Sequence, residues 1–454
     1  MNIILACTKD GGIGLKNGEM AWNCKEELNL FKEITSYSVV IVGRETYEKL
    51  PELKNRVVIC LSTRDKVEPR FEHHYCMKSL FDALNFCKDK FPDKEVYVCG
   101  GKKVYDFALG NSCYFFIKKL FISFMKQDYE CDVKIDMDFL KKWGVTEKYT
   151  ERENFESYVL LKKNSEEDQY LDLLRDVYTN GNLKEGRNGL TYSAFVKHLQ
   201  FDLKKGFPLL TTKKMFFRGI VEELLFFLRG ETNSKILEDK NVNIWKGNTD
   251  RSFLDSLGMF DREEGLMGPM YGYQWRHFNA EYDEKTGKPK NSGIDQLKHV
   301  IESIRTDKNS RRILMTDYNP CQNYECVLYP CHSIILHFYV DSEDKLSMFC
   351  YNRSQDLFLG TPFNIASSAL LLTIIAKITG LNLGVLSLTL GDCHIYMEHV
   401  DAIETQFQRI PYSFPSLRFD KELKNIEDIE TLTLENFVLQ NYESYDSIKA
   451  KMVA

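Results

Sequence analysis

Long hydrophobic runs are missing from this chain of 454 residues: the longest, "ALLLTIIA" at 369–376, is too short to span a bilayer. An excess of one charge is missing too. Sixty Lys and Arg face 66 Asp and Glu, a net charge of −6, so neither nucleic acid nor a membrane surface is an expected partner. The opening "MNIILAC" leaves no room for a charged leader, so no export or transit segment is expected. Neither C-x-x-C nor G-x-G-x-x-G occurs, which argues against a zinc knuckle and an ordinary Rossmann dehydrogenase. Repeats and low-complexity tracts are lacking as well. Thirteen cysteines, an odd and scattered number, read as reduced thiols of a cytoplasmic protein.

What is present divides at one place. With 43% apolar and 28% charged residues, the composition is that of a globular protein of two or three domains. Residues 1–163 alternate amphipathic helices with β-rich runs, of which "NIILAC", "YSVVIVG", "RVVICLS", "EVYVCGG" and "KLFISFM" are the clearest. Runs apolar nearly throughout predict an α/β sheet flanked by helices on both faces. The polar "NSEEDQ" (164–169) is the expected linker, too short to let the halves tumble independently. Residues 170–454 mix helices such as "IVEELLFFL" with strands such as "SIILHFYV" and "KLSMFCYN", an α+β pattern.

In the second half, Cys321, Cys326 and Cys331 are equally spaced in "CQNYECVLYPCHSIILHFYV". Four-residue gaps suit zinc poorly. The β-rich run from Val327 predicts a strand, which would point Cys331 and His332 to opposite faces and leave His332 ill placed to deprotonate its neighbour. A buried structural thiol is the plain reading of any single cysteine. A nucleophilic one needs cations to stabilise its thiolate. Arginines stand in "EGRNG" (Arg187), "NSRRIL" (Arg311, Arg312) and "YNRSQD" (Arg353). A lone arginine is ordinarily solvated, but a pair before a strand makes an anion clamp. Asn364 offers both donor and acceptor to a base edge. His394 and Tyr396, two apart, share a face on a strand.

The stretches "FPLLTTKK", "VEELLFFLRGETN", "GPMYGYQWRHF", "NSRRIL", "LYPCHS", "PFNIAS" and "GDCHIYMEH" resemble thymidylate synthase along nearly all of residues 170–454. The resemblance implies that Cys331 adds to carbon 6 of dUMP, turning carbon 5 into an enolate able to attack 5,10-methylenetetrahydrofolate. Cys321 and Cys326 are then structural. It implies nucleotide binding by Arg187, Arg311, Arg312, His332, Asn352, Arg353, Ser354, Asp356, Asn364, His394 and Tyr396. The paired arginines would reach in from the second subunit of a homodimer. Trp245, Asn248 and Asp392 are implied on the folate, and Glu223, Tyr271 and Asp392 in proton transfers. Three positions depart from the family: Asn352 stands for glutamine, Lys246 for aspartate and Ser368 for tyrosine.

In the first half, Glu27 shares a helical stripe with Leu30, Phe31 and Ile34. A carboxylate there needs a partner, either a salt bridge or a ligand with amidine-like donors such as a pterin. "VCGGKKVYDFAL" and "VGRETYEKL" are strand-to-helix turns, where phosphates can meet backbone N–H groups. With "GIGLKNGEMAWN" and "LSTR", these resemble dihydrofolate reductase over residues 1 to about 163. The resemblance implies that Glu27 binds the pterin and supports its protonation. Cys7, Trp22, Phe31, Leu50, Arg56 and Ser123 would surround dihydrofolate, with Ser123 bonded to Glu27. NADPH would lie against Ala6, Ile13, Gly14, Gly43, Arg44, Glu45, Thr46, Leu61, Ser62, Thr63, Arg64, Cys99, Gly100, Gly101, Lys102, Lys103, Val104 and Tyr105. Ala21 replaces the proline that usually precedes the tryptophan.

Joined in this order, the halves resemble the bifunctional enzymes of protists and plants. One half makes dihydrofolate and the other returns it to tetrahydrofolate. Two alternatives remain open at this point: a reductase half kept as a structural or regulatory module, and a hydroxymethylase on the synthase fold.

Overall fold

The computed structural model describes residues 1–454 apart from 65, 66, 111, 112, 114, 115, 163, 164, 187, 453 and 454, so Arg187 lies outside the described residues. The chain forms two compact units, Met1–Asn164 and Ser165–Ala454.

The first unit holds strands β1 (Asn2–Cys7), β2 (Gly12–Gly14), β3 (Val39–Gly43), β4 (Val57–Leu61), β5 (His74–Met77), β6 (Val96–Val98), β7 (Lys119–Met125), β8 (Val133–Lys134), β9 (Trp143–Glu151) and β10 (Phe155–Lys162). Its helices include α1 (Lys25–Thr35), α2 (Arg44–Lys49), α3 (Leu80–Lys90) and α4 (Lys102–Leu109). Eight strands form one sheet in the order β5-β4-β3-β6-β1-β7-β10-β9. It is parallel from β5 to β7 and antiparallel at β10 and β9. Val39–Val42 and Val57–Cys60 are buried without alternation. That pattern requires cover on both faces of the sheet. Strands β5 and β9, which the apolar runs did not announce, are its two edges. An edge strand is only partly covered: "WGVTEKYTE" is correspondingly polar, and "HYCM" is short and half-buried after its first residue.

The second unit carries a six-stranded sheet in the order β11-β12-β16-β15-β14-β13. Its strands are β11 (Asn182–Gly186), β12 (Gly189–Asp202), β13 (Leu314–Thr316), β14 (Ile335–Val340), β15 (Lys345–Asp356) and β16 (Asn382–Tyr396). β15 and β16 are parallel, and the crossover that a parallel pair needs is the helix Gly360–Thr379. That helix is long and apolar enough to cross a membrane, yet 78% of its most apolar window is buried in the protein. Gly380, at φ +71°, ends it in the left-handed conformation. The helix Phe217–Leu228 is buried from Gly219 onward, Glu222 and Glu223 included.

Two sequence-based expectations need correction here. The strand expected from Val327 begins only at Ile335. Pro330 has no N–H to give a ladder and Ser333 takes φ +58°, so residues 327–334 form an irregular loop instead. The polar stretch 164–169 is also not all linker. A helix, Asp168–Asn180, starts inside it. Glu167 is fully buried, accepting from the backbone N–H groups and hydroxyls of Thr211 and Thr212.

Candidate functional site

In the second unit the loop before β14 is pinned along β15. Ser354 N–H donates to the Cys331 carbonyl (3.1 Å) and Ile334 N–H to the Tyr351 carbonyl (2.9 Å). Ser333 N–H donates to Asn352 Oδ1 (2.8 Å). The Tyr271 hydroxyl lies 3.3 Å from Cys331 Sγ and accepts from the Cys331 N–H at 3.2 Å. Burial pushes the Cys331 thiol up, while the Tyr271 bond and the Arg353 charge pull it back. Arg353 is held beside it by the carbonyls of Pro330 (3.1 Å) and Tyr329 (3.3 Å).

The rings behind this thiol form one stack. Tyr271 lies 4.4 Å from the His332 ring at 19° and 5.0 Å from Phe227 at 30°. Burial lowers His332 to about 4, so it is neutral at physiological pH and does not deprotonate Cys331. Phe227 rides on the same helix as Glu223, which accepts from Trp245 Nε1 at 2.8 Å. Burial raises Glu223 to about 7, against the pull of that bond. Trp245 in turn packs 5.8 Å from Tyr271.

Strand register supplies the second row. β15 and β16 place Ser354 beside Asp392 and Asp356 beside His394. Asp392, His394 and Tyr396 are half-buried on one face of β16, with Cys393 and Ile395 buried on the other. Burial raises the Asp392 carboxyl, but bonds from Lys184 (3.1 Å) and His394 (3.1 Å) outweigh it and leave it below its ordinary value. Asn364 donates to Gln355 Oε1 at 3.2 Å. Asp356 Oδ1 accepts from the N–H groups of Phe358 (2.8 Å) and Leu359 (3.2 Å). Asn352 is buried under the loop, its Nδ2 without a partner, as is Nδ2 of buried Asn248. Arg311 and Arg312 are exposed before β13, apart from this constellation within one chain. Of the departures, Lys246 faces Glu238 at 3.7 Å and Ser368 is buried against Cys350.

In the first unit the candidate dinucleotide residues lie mostly at the carboxyl ends of parallel strands, where ligands of open α/β sheets bind. Ala6 is near the end of β1, and Ile13 and Gly14 lie on β2. Gly43, Arg44, Glu45 and Thr46 form the β3–α2 turn, and Leu61, Ser62, Thr63 and Arg64 end β4. Cys99, Gly100, Gly101, Lys102, Lys103, Val104 and Tyr105 join β6 to α4. The two glycine turns touch, Gly43 N–H donating to the Gly100 carbonyl at 2.7 Å. A Cβ on Gly101 would stand 3.0 Å from Thr46 Oγ1, so a larger residue there would press on that side chain. Tyr105 donates to the Ile4 carbonyl (2.7 Å). Arg44 pairs with Glu48 (2.6 Å) and Lys102 with Asp106 (2.8 Å).

Glu27, in the first turn of α1, is 7% exposed, and burial alone raises it to about 7. The expected bond from Ser123 is not formed; that hydroxyl lies on Ser157 instead, 3.3 Å away, because β10 pairs Ser157 directly opposite Ser123. Trp22 packs with Cys24, Leu30, Met125 and Phe155, its Nε1 unpartnered. Phe31 and Leu50 border the cluster of Val40, Val42 and Tyr47. Arg56 lies over the Phe31 ring (5.8 Å), gives one nitrogen to Thr35 Oγ1 (3.0 Å) and keeps Nε unpartnered. Cys7 is fully buried, its thiol pushed up to about 12 and inert as a nucleophile.

Sequence reasoning passed over Asp317, which is fully buried near Cys331 with both carboxyl oxygens unpartnered. A signal existed: Ile313, Met315 and Asp317 alternate on the buried parity of the β13 segment. It also passed over Arg70, whose guanidinium closes the end of α2 on the carbonyls of Tyr47, Glu48 and Leu50. A lone arginine in a polar stretch carries no such signal.

Comparison with known proteins agrees with this division. The dihydrofolate reductase family pattern matches residues 1–163 and the thymidylate synthase pattern residues 168–454. The bifunctional dihydrofolate reductase-thymidylate synthase of Paramecium tetraurelia is 39% identical over 475 residues, covering 99% of this chain and 98% of that protein. The Leishmania major protein of the same name is 36% identical over 99% of this chain and 94% of its own length. The Zea mays one is 33% identical over 99% and 96%. This chain therefore belongs to the bifunctional dihydrofolate reductase–thymidylate synthase family and is an enzyme of folate-dependent one-carbon metabolism with both activities.

Proposed function

We propose that Cys331 is the nucleophile that adds to carbon 6 of dUMP. The observation that carries this is the Tyr271 hydroxyl 3.3 Å from Cys331 Sγ, with the Arg353 guanidinium drawing the thiol toward its anion. A donor and a cation at one sulfur are what thiolate formation needs. Arg353 and Ser354 bind the nucleotide phosphate, joined by Arg187 and by Arg311 and Arg312 of the second subunit. Asn364 reads the uracil, held by Gln355. His394 and Tyr396 take the ribose from one face of β16.

Glu223, poised near pH 7 by burial, relays protons through water to the pyrimidine, with Tyr271 as its partner. Trp245 and Asn248 meet 5,10-methylenetetrahydrofolate, Asp392 its pterin. The unpartnered Nδ2 of Asn248 supports a polar ligand there.

In the first unit, Glu27 holds the pterin of dihydrofolate and steers its protonation. Its carboxyl is half-protonated near pH 7. Trp22, Phe31, Leu50 and Arg56 line the folate, the free Arg56 Nε being suited to a carboxylate. The adjoining Gly43 and Gly100–Gly101 turns fit a pyrophosphate. Basic Arg44, Arg64 and Lys102 suit the extra phosphate that distinguishes NADPH from NADH. NADPH supplies the hydride when bound.

The chain acts as a homodimer through its synthase unit. Support comes from one face of the six-stranded sheet, where register aligns exposed Leu314, His337 and Phe349, flanked by exposed Ile335 and Tyr339. Such an apolar sheet face is an interface signature. All thirteen cysteines are free thiols, in keeping with a reducing cytoplasm.

The test follows near-ultraviolet absorbance of the purified chain with dUMP and 5,10-methylenetetrahydrofolate, then NADPH. A rise, then an NADPH-dependent fall, is expected. Cys331→Ser must lose the rise and keep reduction of added dihydrofolate; a Cys331→Ser enzyme that still methylates dUMP overturns the assignment.

A further inference from the structure

The thiol chemistry uses Cys331, Tyr271 and Arg353, but a second acid group lies with them that these roles leave idle. Asp317 directly follows β13, whose Thr316 pairs with Ile335 at the start of β14. Thr316 Oγ1 donates to the Ile334 carbonyl at 2.5 Å, so the end of β13 runs alongside the loop that carries Cys331. Asp317 is 0% exposed and neither carboxyl oxygen has a hydrogen-bond partner. Burial raises this carboxyl well above its ordinary range, against a weaker pull from its own backbone N–H.

The groups that feel Asp317 come from four other segments. They are Tyr271 before the helix Gly272–His277, Cys326 after the turn Asn323–Glu325, Cys331 in the irregular loop, and Cys350 on β15. An ionised Asp317 opposes ionisation of each. Arg353 is the one cation among the described groups that acts on Cys331, and His332 is neutral. One cation thus faces two potential anions, Cys331 half-buried and Asp317 fully buried, so ionisation of either opposes that of the other.

We propose that Asp317 is a positioning residue for thiol addition: its carboxyl, enclosed beside the nucleophile loop, sets the pH range in which Cys331 attacks. The inference rests on the reading of Cys331 as the nucleophile. With its proton, Asp317 leaves the Arg353 charge free to favour the thiolate; without it, the carboxylate cancels that help.

The experiment alkylates the full-length enzyme with iodoacetamide across pH and follows the Cys331 peptide by mass spectrometry. This reads the thiol whether or not the chain methylates dUMP, so a failed nucleophile assignment and a failed coupling give different results. Asp317→Asn keeps volume and removes the charge. Its alkylation midpoint is expected to fall by about one pH unit, about tenfold faster modification on the rising limb. A midpoint equal to that of the parent overturns the proposal. Should Asp317→Asn not fold, the parent decides through reciprocity. Blocking Cys331 removes its anion, so the protonated-carboxyl infrared band of Asp317 must titrate at lower pH after alkylation. A band that does not move also overturns it.

Discussion

Glu27 in the reductase unit and Glu223 in the synthase unit are both 7% exposed, and burial raises both to about 7. They differ in what the protein gives them. Glu223 already accepts from Trp245 Nε1 inside a stack of Phe227, Tyr271 and His332. Glu27 has burial alone acting on it, with its expected donor Ser123 turned to Ser157. The synthase acid is one link in a hydrogen-bonded and stacked network, which suits the proton relay proposed for it. The reductase acid has no such partner among the described residues, which suits the pterin contact proposed for it.

The largest test of the contrast is to remove one chemistry and leave the other. Cys331→Ser is expected to cut dUMP methylation by roughly 10³-fold or more. Glu27→Gln is expected to cut dihydrofolate reduction by about 10² to 10⁴-fold, the usual worth of a positioned acid. Each variant should leave the other activity within about twofold, since each residue acts within its own compact unit. Loss of both activities in either single variant would break the picture of two self-sufficient sites.

Stability against pH sharpens the comparison further. Glu27 has a folded value of about 7, above the ordinary 4.5. The neutral acid is favoured in the fold, so its contribution is complete below about pH 4.5 and is lost as pH rises through 7. At pH 8 the ionised group opposes folding by about 3 kcal/mol. Glu27→Gln should therefore raise the midpoint of thermal unfolding of its unit at pH 8 and leave it unchanged near pH 4. Glu223→Gln should gain a similar amount at pH 8, because its value of about 7 already includes the pull of the Trp245 bond. A clearly smaller gain, read by calorimetry at both pH values, would mean that the amide fits the Trp245 site worse than the neutral acid does.

How much of this was legible in sequence depends on the kind of signal. Glu27 was readable because an acid on a helical apolar stripe violates periodicity. His394 and Tyr396 were readable because a two-residue spacing survives any strand register. The Cys331 loop was misread as strand, since "VLYPCHS" has β-rich composition while Pro330 and the positive φ of Ser333 decide its backbone. The Tyr271–His332 stack joins residues 61 apart with no local pattern. The Ser123 bond failed because a hydroxyl on a strand answers to its cross-strand partner, and only the register at Ser157 names that partner. Arg311 and Arg312 stand exposed before β13, away from the Cys331 loop of their own chain.

The smallest expected effect concerns the link between ring stack and thiol. Tyr271 supports Cys331 twice, by the 3.3 Å contact to Sγ and by accepting the Cys331 N–H at 3.2 Å. The hydroxyl bond pulls the thiol down against burial. Tyr271→Phe keeps the packing on His332 and Phe227 and removes only the oxygen. A neutral hydrogen bond is worth about 1 kcal/mol, so Cys331 alkylation near pH 8 should slow about fivefold. The thermal unfolding midpoint of the synthase unit in the same preparation serves as the control for folding. The rate should recover at higher pH, where the thiolate forms without help. If Tyr271→Phe slows alkylation equally at every pH, the hydroxyl positions the loop through the Cys331 N–H and does not tune the sulfur. The synthase site would then owe its reactivity to Arg353, and the fixed network around Glu223 would end at Tyr271 without reaching the nucleophile.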